Sequence, residues 1–418
     1  MHHFHYKNNE MYCEDVAIAE IAGQVGTPFY LYSHATLRQH FLAFEKAFEK
    51  APHLVCFSAK SNSNQAVLKL FATLGGGLDI VSGGELFRGL KAGVPADKIV
   101  FSGVGKREDE IKYALESGIL MFNVESFEEL EQIDQCAARL DKKAPIALRV
   151  NPDVDPKTHP YISTGLKKNK FGLDKDAVVE AYKAANACVH VEVKGVSCHI
   201  GSQITQVEPF VDALRRIQEL IAILEGLGIC ISCLDLGGGL GITYDQELPP
   251  HPSEYGKAVL ATLGDSRVTL IFEPGRVIVG NAGILVTKVL YTKKGENKDF
   301  VIVDSAMNDL VRPSLYDAFH AIEPVVRNEK ETIKADVVGP ICESGDFLAK
   351  DRKIARCQSG DLLAAMSAGA YGFVMSSNYN SRPRVAEVMV KKNQFHVVRK
   401  RETYEDLIAG ESVPPYLR

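Results

Sequence analysis

The chain has 418 residues, a formal net charge of -5 at pH 7, 46% hydrophobic residues and 24% charged residues. This balance is typical of a globular protein of two or three domains, and it argues against nucleic acid or an anionic membrane surface as a partner. No apolar run approaches the ~20 residues of a membrane span, and the first residues show no signal pattern, so the cytoplasm is the expected compartment.

The chain contains nine cysteines, an odd number, and several of them lie inside apolar runs. This pattern favours reduced, buried thiols over a disulfide framework. Cys230 and Cys233 have C-x-x-C spacing, but no second pair completes a zinc site, so no metal is predicted.

Between residues 54 and 276, a short β-rich apolar run recurs and is followed each time by an amphipathic stretch. The runs are 54–57, 78–81, 99–102, 119–124, 146–150, 193–200, 231–236 and 268–272. Alternating strands and helices indicate a parallel sheet, and eight such units fit a (β/α)8 barrel of the TIM type. A doubly wound open sheet is the alternative.

The residues that follow the eight runs favour the barrel, because each strand end is polar or rich in glycine. These ends are 58–60, 82–85, 103–105, 123–126, 149–151, 199–203, 237–239 and 273–276. The carboxyl ends of barrel strands converge on one face, where active sites of this fold are built.

After Arg276 the pattern changes to β-rich runs with little helical periodicity, which predicts a second, mostly antiparallel β domain. The runs are 277–289, 300–303, 335–338, 362–366, 385–390 and 395–398. We assign 31–276 to the barrel, and 1–30 together with 277–418 to a β-barrel domain. The basic segment 164–171, which lies within the predicted barrel domain, is either a closing loop or a solvated turn.

Lys60 lies at the carboxyl end of the first run, within the sequence FSAKSN over 57–62. Lysine is rarely buried, so a lysine at this point suggests an amine used chemically, although a surface lysine is the simpler alternative. An amine of this kind forms a Schiff base with a carbonyl, and pyridoxal 5'-phosphate is the common carbonyl cofactor.

Three other strand ends suit such a cofactor. The glycine-rich run GGGLG over 237–241 lets backbone N–H groups approach a phosphate, unless it is only a turn. Glu273 could face the pyridine nitrogen or pair with Arg276 instead. His199 could stack on the ring, although a lone histidine is more often a hydrogen-bonded core residue.

The predicted β domain contributes three polar clusters: RPSLY over 312–316, CESGD over 342–346 and GAYG over 369–372. Alone, each would pass for a turn. A thiol in a polar turn, such as that of Cys342, can supply a proton.

Together with SCHIGSQ over 197–203 and EPGR over 273–276, these motifs resemble the fold-type III pyridoxal-phosphate decarboxylases, specifically the diaminopimelate decarboxylase family. The resemblance covers essentially the whole chain. It implies a Schiff base on Lys60, His199 stacked on the ring, Glu273 at the ring nitrogen and Cys342 as the proton donor. The cofactor-binding residues would be Lys60, Asp79, His199, Ser202, Gly238, Gly239, Glu273, Gly275, Arg276 and Tyr371. The substrate-binding residues would be Arg276, Arg312, Tyr316, Glu343 and Tyr371.

The resemblance further implies decarboxylation of meso-2,6-diaminopimelate to L-lysine and carbon dioxide, the last step of lysine biosynthesis. It implies a homodimer in which Cys342 and Glu343 come from the other chain. Decarboxylases of carboxynorspermidine, ornithine or arginine on the same fold, and a non-catalytic homologue, are the alternatives.

Overall fold

The computed structural model describes residues 2–155, 170–296, 298–327 and 331–417. Most of the predicted loop 164–171 lies outside these residues. The chain divides into two compact units. The barrel unit comprises Arg38–Thr243 and Glu247–Ile278, and the sheet unit comprises Met1–Leu37, Tyr244–Gln246 and Val279–Arg418.

The amino-terminal segment contributes a small antiparallel sheet to the sheet unit. Its elements are β1 (Phe4–Lys7), β2 (Glu10–Cys13), β3 (Val16–Ala17), α1 (Ile18–Val25) and β4 (Phe29–Ser33). Strand β2 pairs with both β1 and β3. All five residues of β4 are buried, which reflects its place inside a larger sheet.

Eight parallel strands form a closed barrel in the other unit. They are β5 (His53–Ser58), β6 (Gly77–Ile80), β7 (Ile99–Phe101), β8 (Met121–Val124), β9 (Ala144–Arg149), β10 (Val191–Ser197), β11 (Cys233–Asp235) and β12 (Thr269–Phe272). Strand β12 pairs with β5 and closes the ring, so the predicted barrel is confirmed and the open-sheet alternative is wrong.

Helices alternate with the barrel strands along the chain, and the first of them precedes β5. They are α2 (His34–Ala47), α3 (Gln65–Thr73), α4 (Gly83–Ala92), α5 (Glu108–Ser117), α6 (Phe127–Arg139), α7 (Lys175–Ala187), α8 (Glu208–Gly226), α9 (Pro252–Leu263) and the short α10 (Arg276–Val279). None of the helices within the described ranges has both the length and the apolar character that crossing a lipid bilayer requires.

The sequence marks where several of these helices begin. The side chains of Asn64, Ser82 and Ser126 accept hydrogen bonds from backbone N–H groups in the first turns of α3, α4 and α6. Such caps satisfy donors that have no partner within the helix. Each cap lies a few residues after a strand end, so the chain turns sharply out of the barrel and leaves the strand-end side chains at its carboxyl rim.

The interior of the barrel is apolar. A cluster of fully buried side chains comprises Cys56, Val100, Met121, Ala147 and Ile271, which come from five different strands. Such packing fills the barrel with side chains, so chemistry is confined to the rim.

An aromatic layer packs barrel strand β12 against two helices. The rings of Phe48 and Phe272 have centroids 3.9 Å apart, and Phe44 and Tyr255 pack around them. This layer anchors β12, the strand that ends immediately before Glu273.

The sheet unit contains a nine-stranded, mostly antiparallel sheet among the described residues. Beyond β4, its elements are β13 (Gly283–Lys294), β14 (Asp299–Val303), α11 (Arg312–Tyr316), β15 (Ile322–Pro324), β16 (Thr332–Val338), β17 (Phe347–Ala355), β18 (Leu362–Ala365), β19 (Ala386–Lys391), β20 (Gln394–Arg399) and α12 (Tyr404–Ile408). The strand order is β17-β16-β14-β13-β4-β19-β20, with β18 also paired to β13 and β15 paired to β18. The predicted mostly antiparallel β domain is thus confirmed.

One predicted strand is partly wrong. The β-branched run 277–289 was expected to be extended throughout, but Arg276–Val279 forms a helical turn and Gly280–Ala282 a 3-10 turn. Strand β13 begins only at Gly283, where an added Cβ would lie 2.7 Å from Gly369 Cα. The close approach of these two backbone segments fixes the residue at which the strand starts. The β propensity of the sequence does not predict this position.

Candidate active site

Lys60 lies in the 3-10 turn Ala59–Ser61, directly after β5. Its Nζ pairs with Asp79, which lies in the neighbouring strand β6 and is fully buried. The lysine side chain itself keeps 35% of its surface exposed. The ion pair therefore holds the amine in a fixed position while solvent and ligands can still reach it.

Ser58 connects this pair to the end of β12. Its Oγ lies 2.7 Å from Asp79 Oδ2 and 2.9 Å from the backbone oxygen of Glu273. Lys60, Asp79 and Glu273, which are far apart in the sequence, are thus held together by one buried hydroxyl.

Glu273 is buried, and two neutral donors contact its Oε1. Ser102 Oγ donates over 3.0 Å, and Asn123 Nδ2 donates over 3.2 Å. Burial raises the pKa of Glu273 well above its ordinary value, and the carboxylates of Asp235 and Asp79 raise it further, against the opposing charge of Lys60. This side chain therefore binds a proton far more readily than an exposed glutamate does.

Asp235 is a second buried carboxyl in the same cluster, and the sequence analysis did not assign it a role. Asn123 Nδ2 donates to its Oδ2 over 2.8 Å, and the Gly237 N–H donates to its Oδ1 over 2.9 Å. Burial raises the pKa of Asp235 to about 6, although these two hydrogen bonds lower it. The sequence feature that could have revealed Asp235 is its place between two leucines at a strand end, just before the glycine run.

We expect Asp235→Asn to weaken the pH dependence of stability in the cofactor-free protein. Because the folded pKa of about 6 lies above the ordinary 3.8, the folded chain binds this proton more tightly than the unfolded chain does. The resulting stability is fully present below pH 4 and is lost as the pH rises through about 6. A shift of this size corresponds to on the order of 3 kcal/mol.

Thermal unfolding of the cofactor-free protein between pH 4 and 7 measures this effect. The midpoint should fall across that window in the wild type and fall less steeply in Asp235→Asn. Asp212→Asn, which changes an exposed aspartate, serves as the matched control. Parallel curves for wild type and Asp235→Asn would show that Asp235 ionises in the folded chain as it does in the unfolded one.

His199 follows β10 and faces the glycine run. Its Nδ1 accepts a hydrogen bond from the Gly238 N–H over 3.2 Å. Burial lowers the pKa of His199 well below its ordinary value, and the charges of Arg149 and Lys60 lower it further. The imidazole is therefore neutral, as its acceptor role at Nδ1 also requires.

The glycine run lies too close to its surroundings for larger residues. A Cβ on Gly238 would lie 2.3 Å from the Glu273 backbone oxygen, and Gly239 has φ +114°. The geometry admits only glycine here, and it brings bare backbone to the rim between His199 and Glu273.

Arg276 lies near the same rim, at the start of α10. Its Nε and Nη2 donate to Ser202 Oγ over 3.3 and 3.1 Å. Gly275, immediately before it, packs so closely that an added Cβ would lie 2.9 Å from Ser61 Oγ. The barrel unit therefore contains nine of the predicted site residues: Lys60, Asp79, His199, Ser202, Gly238, Gly239, Glu273, Gly275 and Arg276.

The remaining predicted residues belong to the sheet unit. Arg312 is buried on α11, whose last residue, Tyr316, is partly buried. Tyr371 is partly buried and has φ +54°, which is unusual for a residue with a side chain. Cys342 and Glu343 are both exposed.

The turn that carries Cys342 lies between β16 and β17 and is held by Asp346. This carboxylate accepts from the backbone N–H groups of Ile341 and Met307, each over 2.7 Å. The Cys342 N–H donates to Asn380 Oδ1 over 3.1 Å. An exposed thiol is thereby presented on a fixed backbone.

Comparison with known proteins identifies the family. Residues 34–280 match the model of the pyridoxal-dependent decarboxylase, pyridoxal binding domain. A curated diaminopimelate decarboxylase from Pseudomonas aeruginosa is 55% identical over 412 residues, which cover 99% of each chain. The chain belongs to the diaminopimelate decarboxylase family of pyridoxal-dependent decarboxylases.

Solved structures from this family agree with the fold. The Helicobacter pylori diaminopimelate decarboxylase complexed with L-lysine has a TM-score of 0.91 and 45% identity, covering 94% of this chain and 98% of that one. The M. jannaschii diaminopimelate decarboxylase in complex with L-lysine has a TM-score of 0.95 and 38% identity, covering 99% of each chain. The predicted family, enzyme class and cofactor are confirmed.

The residues of the barrel rim fit pyridoxal phosphate, the cofactor of this decarboxylase family. Lys60 provides a partly exposed amine, and the buried Glu273 carboxyl readily binds a proton, as a partner of a ring nitrogen must. The glycine run presents backbone where side chains would collide. Within the described residues, Asp79 Oδ1 is buried without a hydrogen-bond partner, which marks a polar position suited to a ligand.

Proposed function

We propose that this enzyme removes one carboxylate of meso-2,6-diaminopimelate as carbon dioxide and releases L-lysine, the last step of lysine biosynthesis. The observation that carries the proposal is the near full-length identity with curated diaminopimelate decarboxylases, joined to the Lys60–Asp79 pair at the barrel rim. Its test is an assay for carbon dioxide and L-lysine with this substrate, with ornithine and arginine in parallel.

In this proposal, residues 31–276 would bind the cofactor through Lys60, whose amine would condense with the cofactor's aldehyde and release water. The other cofactor-binding residues are Asp79, His199, Ser202, Gly238, Gly239, Glu273, Gly275, Arg276 and Tyr371. When bound, pyridoxal phosphate accepts the electron pair that the departing carboxylate leaves behind. The ion pair with Asp79 would hold the Lys60 amine near the rim whenever that amine is not bonded to the cofactor.

Glu273 would keep the pyridine nitrogen of the cofactor protonated. Its raised pKa supports this role, because the buried side chain is stabilised by a proton or by a cation beside it. At ~4 Å and an effective dielectric near 20, a pair of opposite charges contributes about 4 kcal/mol. That energy is enough to hold the nitrogen protonated near neutral pH.

His199 would pack against the cofactor ring, and its neutral state supports that position. An imidazolium at the same place would repel a protonated pyridine ring, whereas a neutral imidazole does not. Burial and the nearby cations keep His199 neutral, and the Gly238 N–H fixes the orientation of its ring.

The end of the substrate that does not react carries both a carboxylate and an ammonium group. Arg276, Arg312 and Tyr316 would bind the carboxylate, and Glu343 would bind the ammonium. Arginine suits the first task because its planar donors match a carboxylate. Binding energy from this end orients the carboxylate that leaves.

Cys342 would return a proton to the carbon atom from which the carboxylate departs. We propose that Cys342 and Glu343 reach the site from a second copy of the chain, so that the enzyme is a homodimer with two shared active sites. Both side chains are exposed on a turn that Asp346 holds by hydrogen bonds, which supports their contribution to the site of another chain. The odd number of cysteines supports a reducing compartment, so we assign the reaction to the cytoplasm.

A further inference from the structure

Arg312 is held by two residues that have no assigned role, His320 and Tyr244. Arg312 Nη1 lies 2.9 Å from His320 Nε2, and its guanidinium carbon lies 4.6 Å from the centre of the Tyr244 ring. The centroids of the Tyr244 and His320 rings are 5.5 Å apart, and the two ring planes are nearly perpendicular, at 79°. We call these three residues the arginine cluster, and all three are buried.

The hydrogen bonds of His320 determine its protonation state. Its Nδ1 lies 2.8 Å from the backbone oxygen of Met366, which can only accept, so Nδ1 carries the hydrogen. Its Nε2 faces an N–H donor of Arg312 and must accept. Both contacts are satisfied only by the neutral imidazole with its hydrogen on Nδ1.

A carboxylate partner would neutralise the positive charge of Arg312, whereas a neutral acceptor does not. His320 fixes the direction of the guanidinium without cancelling its positive charge. The Tyr244 ring lies against the same group and restricts its movement, because a guanidinium is attracted to an aromatic face. The cluster therefore holds a buried, oriented cation, which is what recognition of a carboxylate needs.

We propose that His320 and Tyr244 position Arg312 for the carboxylate of the substrate that is not removed, and so set the preference for a substrate with a carboxylate at both ends. This inference rests on the proposed function, in which Arg312 binds that carboxylate. His320 and Tyr244 act through Arg312, and neither is assigned contact with the reacting atoms.

Two ligands distinguish a loss of carboxylate binding in these variants from a general loss of ligand binding. L-lysine keeps the carboxylate that the reaction does not remove, whereas cadaverine has the same carbon chain and two amines but no carboxylate. Their affinities for the cofactor-loaded protein are measured by competition with meso-diaminopimelate and by changes in cofactor absorbance on titration.

His320→Phe removes the acceptor at similar volume, and His320→Gln retains an amide oxygen. We expect His320→Phe to weaken L-lysine binding about 10- to 100-fold, which is the effect of losing an ordered hydrogen bond to a charged group. Cadaverine affinity should change less than about twofold by the same reasoning, and the absorbance of the bound cofactor should not change. His320→Gln should recover part of the L-lysine affinity, and KM should rise more than kcat falls.

The second pair of variants is Tyr244→Leu and Tyr244→Phe, which remains informative if His320→Phe does not fold. The leucine variant should weaken L-lysine about threefold to thirtyfold, and the phenylalanine variant should stay near wild type because it keeps the ring. Equal loss of L-lysine and cadaverine, or no loss in either pair of variants, would overturn the inference.

Arg312→Gln distinguishes failure of the inference from failure of the assignment beneath it. If Arg312→Gln weakens L-lysine but His320→Phe and Tyr244→Leu do not, the arginine binds the carboxylate without these supports and the inference alone is wrong. If Arg312→Gln leaves L-lysine affinity unchanged, the assignment of Arg312 is wrong and the inference falls with it.

Discussion

Replacing Lys60 with alanine should lower turnover by roughly 10,000-fold or more, since the variant has no amine to hold the cofactor covalently. Its amine pairs with the buried Asp79, and the loss should also remove the absorbance of the protein-bound cofactor. Lys112→Ala, on an exposed face of α5, is the matched control and should retain wild-type turnover.

Borohydride reduction followed by peptide mass mapping locates the attachment directly. We expect reduced cofactor on the peptide containing Lys60 in the wild type and on no peptide in Lys60→Ala. Attachment to a different lysine, or retained turnover in the variant, would contradict the role of Lys60.

Cys342→Ala should lower the rate of lysine formation roughly 100- to 10,000-fold, the range expected for losing a general acid. The thiol is exposed on its turn, so the substitution leaves no cavity in the core. Cofactor absorbance and thermal stability should therefore match the wild type. Cys342→Ser keeps a small donor and should lose less activity than the alanine variant, and unchanged turnover in Cys342→Ala would remove the thiol from the mechanism.

The shared-site dimer makes a further prediction from the same two variants. Lys60→Ala and Cys342→Ala should each have little activity, but after subunit exchange a mixed dimer would contain one site with both residues intact. An equal mixture should recover about a quarter of wild-type turnover if subunits reassort at random in a two-fold symmetric dimer. No recovery, with exchange verified by mass, would show that each chain builds its own site.

The sequence was sufficient to predict the barrel because its strands are short apolar runs with polar ends. Each of the eight predicted runs overlaps an observed barrel strand. It was less informative for β17, since the centre of this strand carries exposed charges such as Lys350 and Asp351. The strands β1 and β2 are also hard to predict, being four residues long and only partly buried.

The candidate site was predictable where a residue with a reactive or ionisable side chain directly follows a barrel strand. Lys60, His199 and Glu273 follow barrel strands and lie around the same rim, although their roles remain predictions. Asp235 and His320 were not found, because their significance comes from neighbours such as Asn123 and Arg312. A single buried acid or histidine looks ordinary until the fold shows what it contacts.

The most direct test of the central claim is carbon dioxide release by the cofactor-loaded protein, with meso-diaminopimelate, ornithine and arginine assayed in parallel. We expect release with meso-diaminopimelate alone, with L-lysine formed in equal amount. Release with ornithine or arginine instead would leave the fold and cofactor intact and contradict the roles given to Arg276, Arg312 and Glu343. Release with none of the three would contradict the proposed function itself.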